Sequence, residues 1–197
     1  MWAGICGAAG LRLVARPSST RPVPLSCGQF GTSGGTRRYS GDSRPSGALP
    51  VGRYPAQLAE IQAEFVDGKG SAREQVWNDW QKATALLQQH VAILATWVSG
   101  SFFTSKDAPD DIDCVYWVDY MALKIAQLNP ASAHMVEVFS KKDQLRGLVG
   151  LRVDTFVVAW NCCPDITQAM PDTRDYWAAR GHWDDFWARM RSGPKGA

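Results

Sequence analysis

Residues 91–119 read VAILATWVSG SFFTSKDAPD DIDCVYWVD, and this stretch decides the fold. The apolar, partly β-branched run at its start predicts a buried strand that begins near Ile93 and is halted by Ser99-Gly100-Ser101. A proline holds open the loop 106–110 that follows. The run 111–118 then predicts a second strand, so a polar turn and a loop join two buried strands.

Helical patterns surround these two strands. Apolar residues at helical spacing predict an amphipathic helix over 72–90, and Ser71-Ala72-Arg73-Glu74 before it is a capping-box pattern. Three further elements follow the second strand: a helix over 120–128 stopped by Asn129-Pro130, a third strand over 151–160, and a helix that starts after Pro171 with Asp172 as its N-cap. Residues 131–149 support no single prediction. Strands interleaved with helices indicate an α/β or α+β domain.

Two aspartates in the second strand point to metal chemistry. Side chains alternate faces along a strand, so Asp111 and Asp113 share one face while Ile112 points into the core. Two carboxylates so close together repel each other unless a cation lies between them. Hard divalent ions take oxygen ligands, and a pair of Mg²⁺ ions about 3.5–4 Å apart is the usual device for in-line phosphoryl or nucleotidyl displacement.

Four more residues complete the candidate site. Gly100 lets the backbone approach a phosphate, and the hydroxyl of Ser101 can donate a hydrogen bond to it. Lys106 could steady a triphosphate, although an ordinary solvated lysine is the competing interpretation. Asp154 lies in the otherwise apolar third strand, where a buried carboxylate is costly without a partner. If the third strand lies beside the second, three carboxylates converge.

These motifs resemble the signature of the DNA polymerase β-like nucleotidyltransferase superfamily. The resemblance depends on Gly100-Ser101, an interval of nine residues, Asp111-Ile112-Asp113 and the later strand acid Asp154. Residues 97–113 are also similar to a group of small bacterial and phage proteins with a minimal core of this type. Further similar stretches are Gly52-Arg53-Tyr54, Tyr176-Trp177, Gly181, Trp183 and Pro194-Lys195-Gly196. The resemblance covers roughly residues 52–197.

The resemblance implies a mixed sheet of few strands flanked by helices, and transfer of a nucleoside monophosphate from a nucleoside triphosphate to a hydroxyl with two Mg²⁺ ions. By position, Ser101 would contact the triphosphate, and Asp111 and Asp113 would hold both metals. Asp154 would hold the catalytic metal and help to activate the acceptor. No separate acceptor-binding domain follows the core, so the acceptor is left open as a protein, an RNA or a small molecule.

Two other functions fit the same residues. A nucleotidyltransferase fold without turnover could serve as a partner-binding or antitoxin-like module, and a phosphohydrolase could use the same carboxylates. Trp183, Phe186, Trp187 and Met190 form an apolar stripe at helical spacing. This stripe either packs in the core or docks on a partner protein or a second copy of the chain. The three histidines are isolated from one another, so a hydrolase triad gains no support.

Composition narrows the class of protein. Residues 1–53 contain seven arginines and a single acid, whereas acids outnumber bases in the rest of the chain, which argues against a surface that tracks nucleic-acid phosphates. No apolar run approaches the roughly 18 residues of a membrane-spanning helix. The five cysteines contain no CxxC pair, so neither a disulfide framework nor a zinc site is indicated, and we expect a reduced, cytoplasmic protein.

The first part of the chain differs in composition from the rest. Its first fifty residues contain 21 Gly, Ser or Pro and no periodic apolar pattern. Such a segment is expected to be a disordered tail, to lie upstream of the true start of translation, or to act as an organellar transit peptide. The predicted organisation is therefore a tail over 1–51 and a nucleotidyltransferase-like domain over 52–197.

Overall fold

Strands and helices alternate along the part of the chain that the structure, a computed structural model, describes: residues 10–15, 52–163 and 165–188. The strands are β1 (Gly10–Ala15), β2 (Gly52–Pro55), β3 (Ile93–Ser99), β4 (Ile112–Asp119) and β5 (Val153–Trp160). The helices are α1 (Leu58–Phe65), α2 (Ser71–Gln88), α3 (Tyr120–Ala126), α4 (Pro130–Ser140), α5 (Gln144–Val149) and α6 (Pro171–Ala188).

The five described strands form one mixed sheet in the order β2-β1-β3-β4-β5. β1 pairs antiparallel with β2 and parallel with β3, β3 pairs antiparallel with β4, and β4 pairs parallel with β5. A parallel pair needs a crossover connection, and α3, α4 and α5 supply it between β4 and β5. The predicted α/β class, with a mixed sheet flanked by helices, is confirmed.

Each face of the sheet has its own apolar core. Alternate strand residues such as Val98, Ile112 and Tyr116 pack with α1, α2, α4 and α5 on one face. The intervening residues Trp97 and Trp117 pack with Tyr176, Trp183 and Trp187 of α6 on the other face. Because side chains alternate along a strand, neighbouring strand residues face opposite sides of the sheet and pack against different helices. Asp113 and Asp154 lie on the face that packs against α6.

Two helices start at residues that differ from the predicted ones. Gly70, with φ of +100°, is the N-cap of α2, so Ser71 is the first helical residue and does not cap the helix through its side chain. α6 begins at Pro171, so Asp172 lies in its first turn, where it accepts a hydrogen bond from the hydroxyl of Tyr120. Helix-capping motifs in sequence locate a helix start only to within a residue or two.

The unassigned segment 131–149 contains two helices. Asn129 is the N-cap of α4, and its side chain accepts hydrogen bonds from the backbone N–H groups of Ala131 and Ser132. Pro130 is tolerated as the first helical residue because its missing N–H would have no helical partner there. The Asn-Pro pair that was predicted to stop one helix therefore also starts the next.

β1 lies within the segment that was predicted to be a disordered tail, so the prediction is wrong for Gly10–Ala15. Residues 11–15, LRLVA, contain no Gly, Ser or Pro, which allows this stretch to adopt extended structure within a polar segment. It pairs with both β2 and β3. The rest of the predicted tail lies outside the described residues.

Candidate functional site

Asp113 and Asp154 lie side by side because β4 and β5 are adjacent and parallel. They are register partners in the strand pair. Asp111 precedes β4 by one residue, two positions before Asp113, and Ile112 between them is fully buried on the opposite face, as predicted. The negative charges of both aspartates reach Asp154. The structure therefore pairs Asp113 with Asp154 at one end of the sheet, and the negative charge of Asp111 reaches this pair.

The surroundings of Asp154 disfavour its ionised form. Its residue is only 9% exposed. Burial raises the pKa of Asp154, and the negative charges of Asp143, Asp111 and Asp113 raise this pKa further, whereas the positive charge of Lys142 lowers it. Both causes disfavour the ionised form. A cation placed among these acids would relieve the unfavourable energy.

The turn after β3 packs directly against Asp113. Ser99 is the register partner of Asp113, and Gly100 follows with φ of +103°. A Cβ atom added to Gly100 would lie 2.7 Å from Oδ2 of Asp113. Glycine is therefore required for its backbone conformation and for the close approach of the carboxylate. Ser101 opens a short 3₁₀ turn directly after this contact, at the same end of the sheet.

A buried arginine holds the loop that follows Ser101. Arg73 on α2 is 5% exposed. Its guanidinium donates hydrogen bonds to four backbone carbonyls, those of Phe65, Phe102, Thr104 and Lys106. The planar, multi-donor guanidinium suits such a set of acceptors. Arg73 therefore positions the connection between the turn and the carboxylates.

A second arginine anchors the start of β5. Nε of Arg152 donates to Oδ2 of Asp79 at 3.1 Å, and Nη2 of Arg152 donates to Oε1 of Gln75 at 3.1 Å. Asp79 and Gln75 both belong to α2. Arg152 comes two residues before Asp154, so these contacts help to set the position at which Asp154 enters the sheet.

Lys106 and Arg146 contact acids outside the pair formed by Asp113 and Asp154. Nζ of Lys106 lies 2.6 Å from Oδ2 of Asp110 in an exposed ion pair. Nη2 of Arg146 lies 3.8 Å from Oδ2 of Asp111 and donates to the carbonyl of Asp110 at 2.9 Å. In this conformation the ammonium of Lys106 is directed to a neighbouring carboxylate, and its role toward a triphosphate stays a prediction.

A pocket of about 220 Å³ opens beside the paired carboxylates. Asp113, Asp154 and Lys142 form its polar side. Four aromatic residues of α6 form its other side, His182, Trp183, Phe186 and Trp187, and Phe156 of β5 lies on the same strand face as Asp154. The candidate site thus places two acids and one base opposite aromatic rings.

The profile of a family described as a family of unknown function, DUF6932, matches residues 42–197. The chain belongs to the DUF6932 family. The match begins ten residues before the boundary predicted at residue 52. Comparisons of this DUF6932 chain with curated proteins and with solved structures found no match. Within the described ranges, no helix of this DUF6932 protein combines the length and apolarity needed to cross a membrane.

The carboxylate oxygens of this DUF6932 site are ligands of the kind that hard divalent ions prefer. Among residues 10–15, 52–163 and 165–188, no group of three or more His, Cys, Asp or Glu is arranged to hold a metal ion. Mg²⁺ is usually held by one or two carboxylates together with substrate phosphates and water, and seldom by a cage made only of protein groups. Asp113 and Asp154 offer such a carboxylate pair.

Two polar residues of the pocket were not identified from sequence. Lys142 follows α4 and His182 lies within α6, and neither has a motif around it that marks a ligand site. Lys142 reaches the pocket from the turn after α4, and His182 reaches it from α6. The helical spacing of the aromatic stripe on α6 was the one local signal for this wall.

Two residues of the aromatic stripe of this DUF6932 chain, Trp183 and Trp187, pack in the core. Trp187 is 1% exposed, and its ring lies against those of Trp97 and Trp183. Phe186 remains 41% exposed, and Met190 lies outside the described residues. The core interpretation is confirmed for Trp183 and Trp187, and docking of a partner through this helix stays a prediction.

Proposed function

We propose that this protein transfers a nucleoside monophosphate from a nucleoside triphosphate to a hydroxyl of a protein, an RNA or a small molecule, with two Mg²⁺ ions. The observation that carries the proposal is the pairing of Asp113 with Asp154 beside the Gly100-Ser101 turn. Acids this close together are unfavourable without a cation, and perturbed acids of this kind concentrate at functional sites.

The three carboxylates would have different roles in metal binding and in activation of the acceptor. Asp111 and Asp113 would hold both metal ions, and Asp154 would hold one of them. Mg²⁺ bound there would neutralise the negative charge that develops on the phosphoryl oxygens. Asp154 would also help to activate the attacking hydroxyl, by orienting it or accepting its proton.

The phosphates of the nucleoside triphosphate would contact the turn after β3, Lys142 and Lys106. The Ser101 hydroxyl, in the turn after β3, would donate to a phosphate oxygen. Lys142 already lines the pocket and would compensate phosphate charge there. Lys106 would do the same after leaving Asp110.

Label transfer tests the proposal most directly. The full chain would be incubated with Mg²⁺, a cell lysate as the source of acceptor, and each α-labelled nucleoside triphosphate. The variant is Asp113→Asn, and the matched control is Asp67→Asn, which alters an exposed aspartate between α1 and α2. We expect labelled product from the wild type and the control, and a loss of at least about 100-fold in Asp113→Asn.

Other outcomes separate the competing functions. Equal labelling by wild type and Asp113→Asn would refute the proposal. Release of phosphate without labelled product would favour a phosphohydrolase that uses the same acids. If labelling is absent and Mg²⁺ with nucleotide leaves the melting temperature unchanged, the chain is better described as a binding module without turnover.

We also propose that the protein is located in the cytoplasm. Cys114, Cys162 and Cys163 are free thiols in the structure, and Cys162 is exposed. Burial raises the pKa of the Cys114 thiol to about 12, so this thiol stays protonated at neutral pH. Exposed free thiols persist in reducing compartments such as the cytosol.

A further inference from the structure

The pocket beside the carboxylates has two aromatic rings at its rim. His182 and Phe186 are one helical turn apart on α6, with ring centroids 5.9 Å apart and planes inclined by 18°. Phe186 is 41% exposed. The buried ring of Trp183 lies edge-on to both, at 5.2 Å from His182 and 5.7 Å from Phe186. The rim rings are therefore oriented by a side chain that is fixed in the core.

The opposite side of the same pocket is charged. Asp113, Asp154 and Lys142 line it, while Phe156 continues the aromatic wall. A ligand that fits both sides carries a planar ring system at one end and metal-binding anionic groups at the other. The volume of about 220 Å³ is below the 300–1,000 Å³ that encloses a drug-sized ligand, so the pocket suits one ring system with the remainder outside.

We infer that the aromatic wall of α6, formed by His182, Trp183 and Phe186, binds the base of the nucleoside triphosphate by stacking. The inference rests on the proposed function, which accounts for the triphosphate end of the ligand. Aromatic side chains stack on any base because every base presents a π-face. Stacking strength grows with ring area, so purine nucleotides bind more tightly than pyrimidine nucleotides.

The polar lining of the pocket predicts weak discrimination between bases. Apart from the two carboxylates, Lys142 and His182 are the strongest hydrogen-bonding side chains among the described lining residues. Strong discrimination between bases needs several fixed donors and acceptors that a wrong base leaves unpaired. All four nucleoside triphosphates are therefore accepted, and the purines are preferred.

Binding of non-hydrolysable nucleoside triphosphate analogues to the full chain, measured by calorimetry with Mg²⁺, tests the inference. Inorganic tripolyphosphate serves as the probe without a base. Phe186→Ala is expected to weaken nucleotide binding by about fivefold or more and to leave tripolyphosphate binding unchanged. Phe186→Trp restores a stacking ring and should restore nucleotide binding. Trp177→Ala is the matched control, because Trp177 is a 36% exposed aromatic on α6 that does not line the pocket.

The outcomes distinguish this inference from the proposed function. The inference is overturned if tripolyphosphate binds as tightly as the nucleotides, or if Trp177→Ala weakens binding as much as Phe186→Ala. Neither result affects transfer that depends on Asp113. Equal label transfer by wild type and Asp113→Asn would refute the proposed function, whereas nucleotide binding that Phe186→Ala weakens would still support the stacking site. A melting temperature for Phe186→Ala near that of the wild type checks that the variant is folded.

Discussion

Asp113 of β4 and Asp154 of β5 are register partners on adjacent parallel strands, on the face of the sheet that α6 covers. The negative charge of Asp113 adds to the electrostatic cost of ionising Asp154. A chain selected only for stability would place apolar residues at these positions. Such local violations of folding rules are expected where a protein has a functional site.

Asp154→Asn is expected to raise the melting temperature at pH 7 in metal-free buffer by a few degrees. The pKa of Asp154 is higher in the folded state than its ordinary value of 3.8. The protein therefore loses stability as pH rises from 3.8 through the pKa of Asp154 in the folded state. The neutral amide avoids this loss. The gain over wild type should be present at pH 7 and disappear below pH 3.8, as followed by thermal denaturation across pH.

The environment of Asp154 supplies a second readout for this variant. Its pKa is raised by burial and by Asp143, Asp111 and Asp113, and is lowered by Lys142. Addition of Mg²⁺ with a non-hydrolysable nucleoside triphosphate should stabilise the wild type more than Asp154→Asn. A variant less stable than wild type at pH 7 without metal would contradict the electrostatic account.

Gly100→Ala is expected to cost more stability than Gly70→Ala. Both glycines have nearly the same positive φ, +103° and +100°, which costs an alanine about 1–3 kcal/mol. An added Cβ meets nothing within 4 Å at Gly70, whereas at Gly100 it lies 2.7 Å from Oδ2 of Asp113. Gly100→Ala should also weaken Mg²⁺-dependent nucleotide binding, because the carboxylate must move.

Urea denaturation of the two glycine variants isolates the contact with Asp113 from the backbone strain. The difference between their free energies of unfolding should shrink when both are measured in an Asp113→Ala background. Equal losses for Gly70→Ala and Gly100→Ala would mean that the turn shifts freely and does not constrain the carboxylate.

Arg73→Lys is expected to destabilise the domain by about 3 kcal/mol, although it conserves the charge. A lysine ammonium cannot reach four carbonyls spread over the end of α1 and residues 102–106, so buried acceptors lose their partners. Residues 102–106 should become more sensitive to proteolysis. The control is Arg174→Lys at an exposed position of α6, which should change stability by less than about 0.5 kcal/mol.

Lys106→Ala is expected to weaken Mg²⁺-dependent nucleotide binding while changing stability by less than about 1 kcal/mol. Its ion pair with Asp110 is exposed, and exposed pairs contribute little. Asp110→Asn should have the opposite effect on binding, because it releases the ammonium toward the triphosphate. Lys69→Ala, at an exposed lysine between α1 and α2, should leave binding unchanged. Unaltered binding in Lys106→Ala would assign Lys106 to the solvated surface.

Short-range patterns predicted most of the sheet correctly. The apolar runs that became β3, β4 and β5 were recognisable because strand periodicity and turn residues are local properties. The same reasoning placed Ile112 in the core, where it is fully buried. Helix starts were less well predicted, as at Ser71, because the positive φ of Gly70 moved the cap by one residue.

The sequence by itself determined that acids occur within apolar strands, that a glycine precedes Ser101, and that rings recur at helical spacing in α6. Only the tertiary structure decided that β5 pairs with β4 in the register that sets Asp154 beside Asp113. It also brought Lys142 and His182 to the same pocket and placed β1 within the sheet. These arrangements depend on which segments bury each other's apolar surface, and that energy arises between residues far apart in the chain.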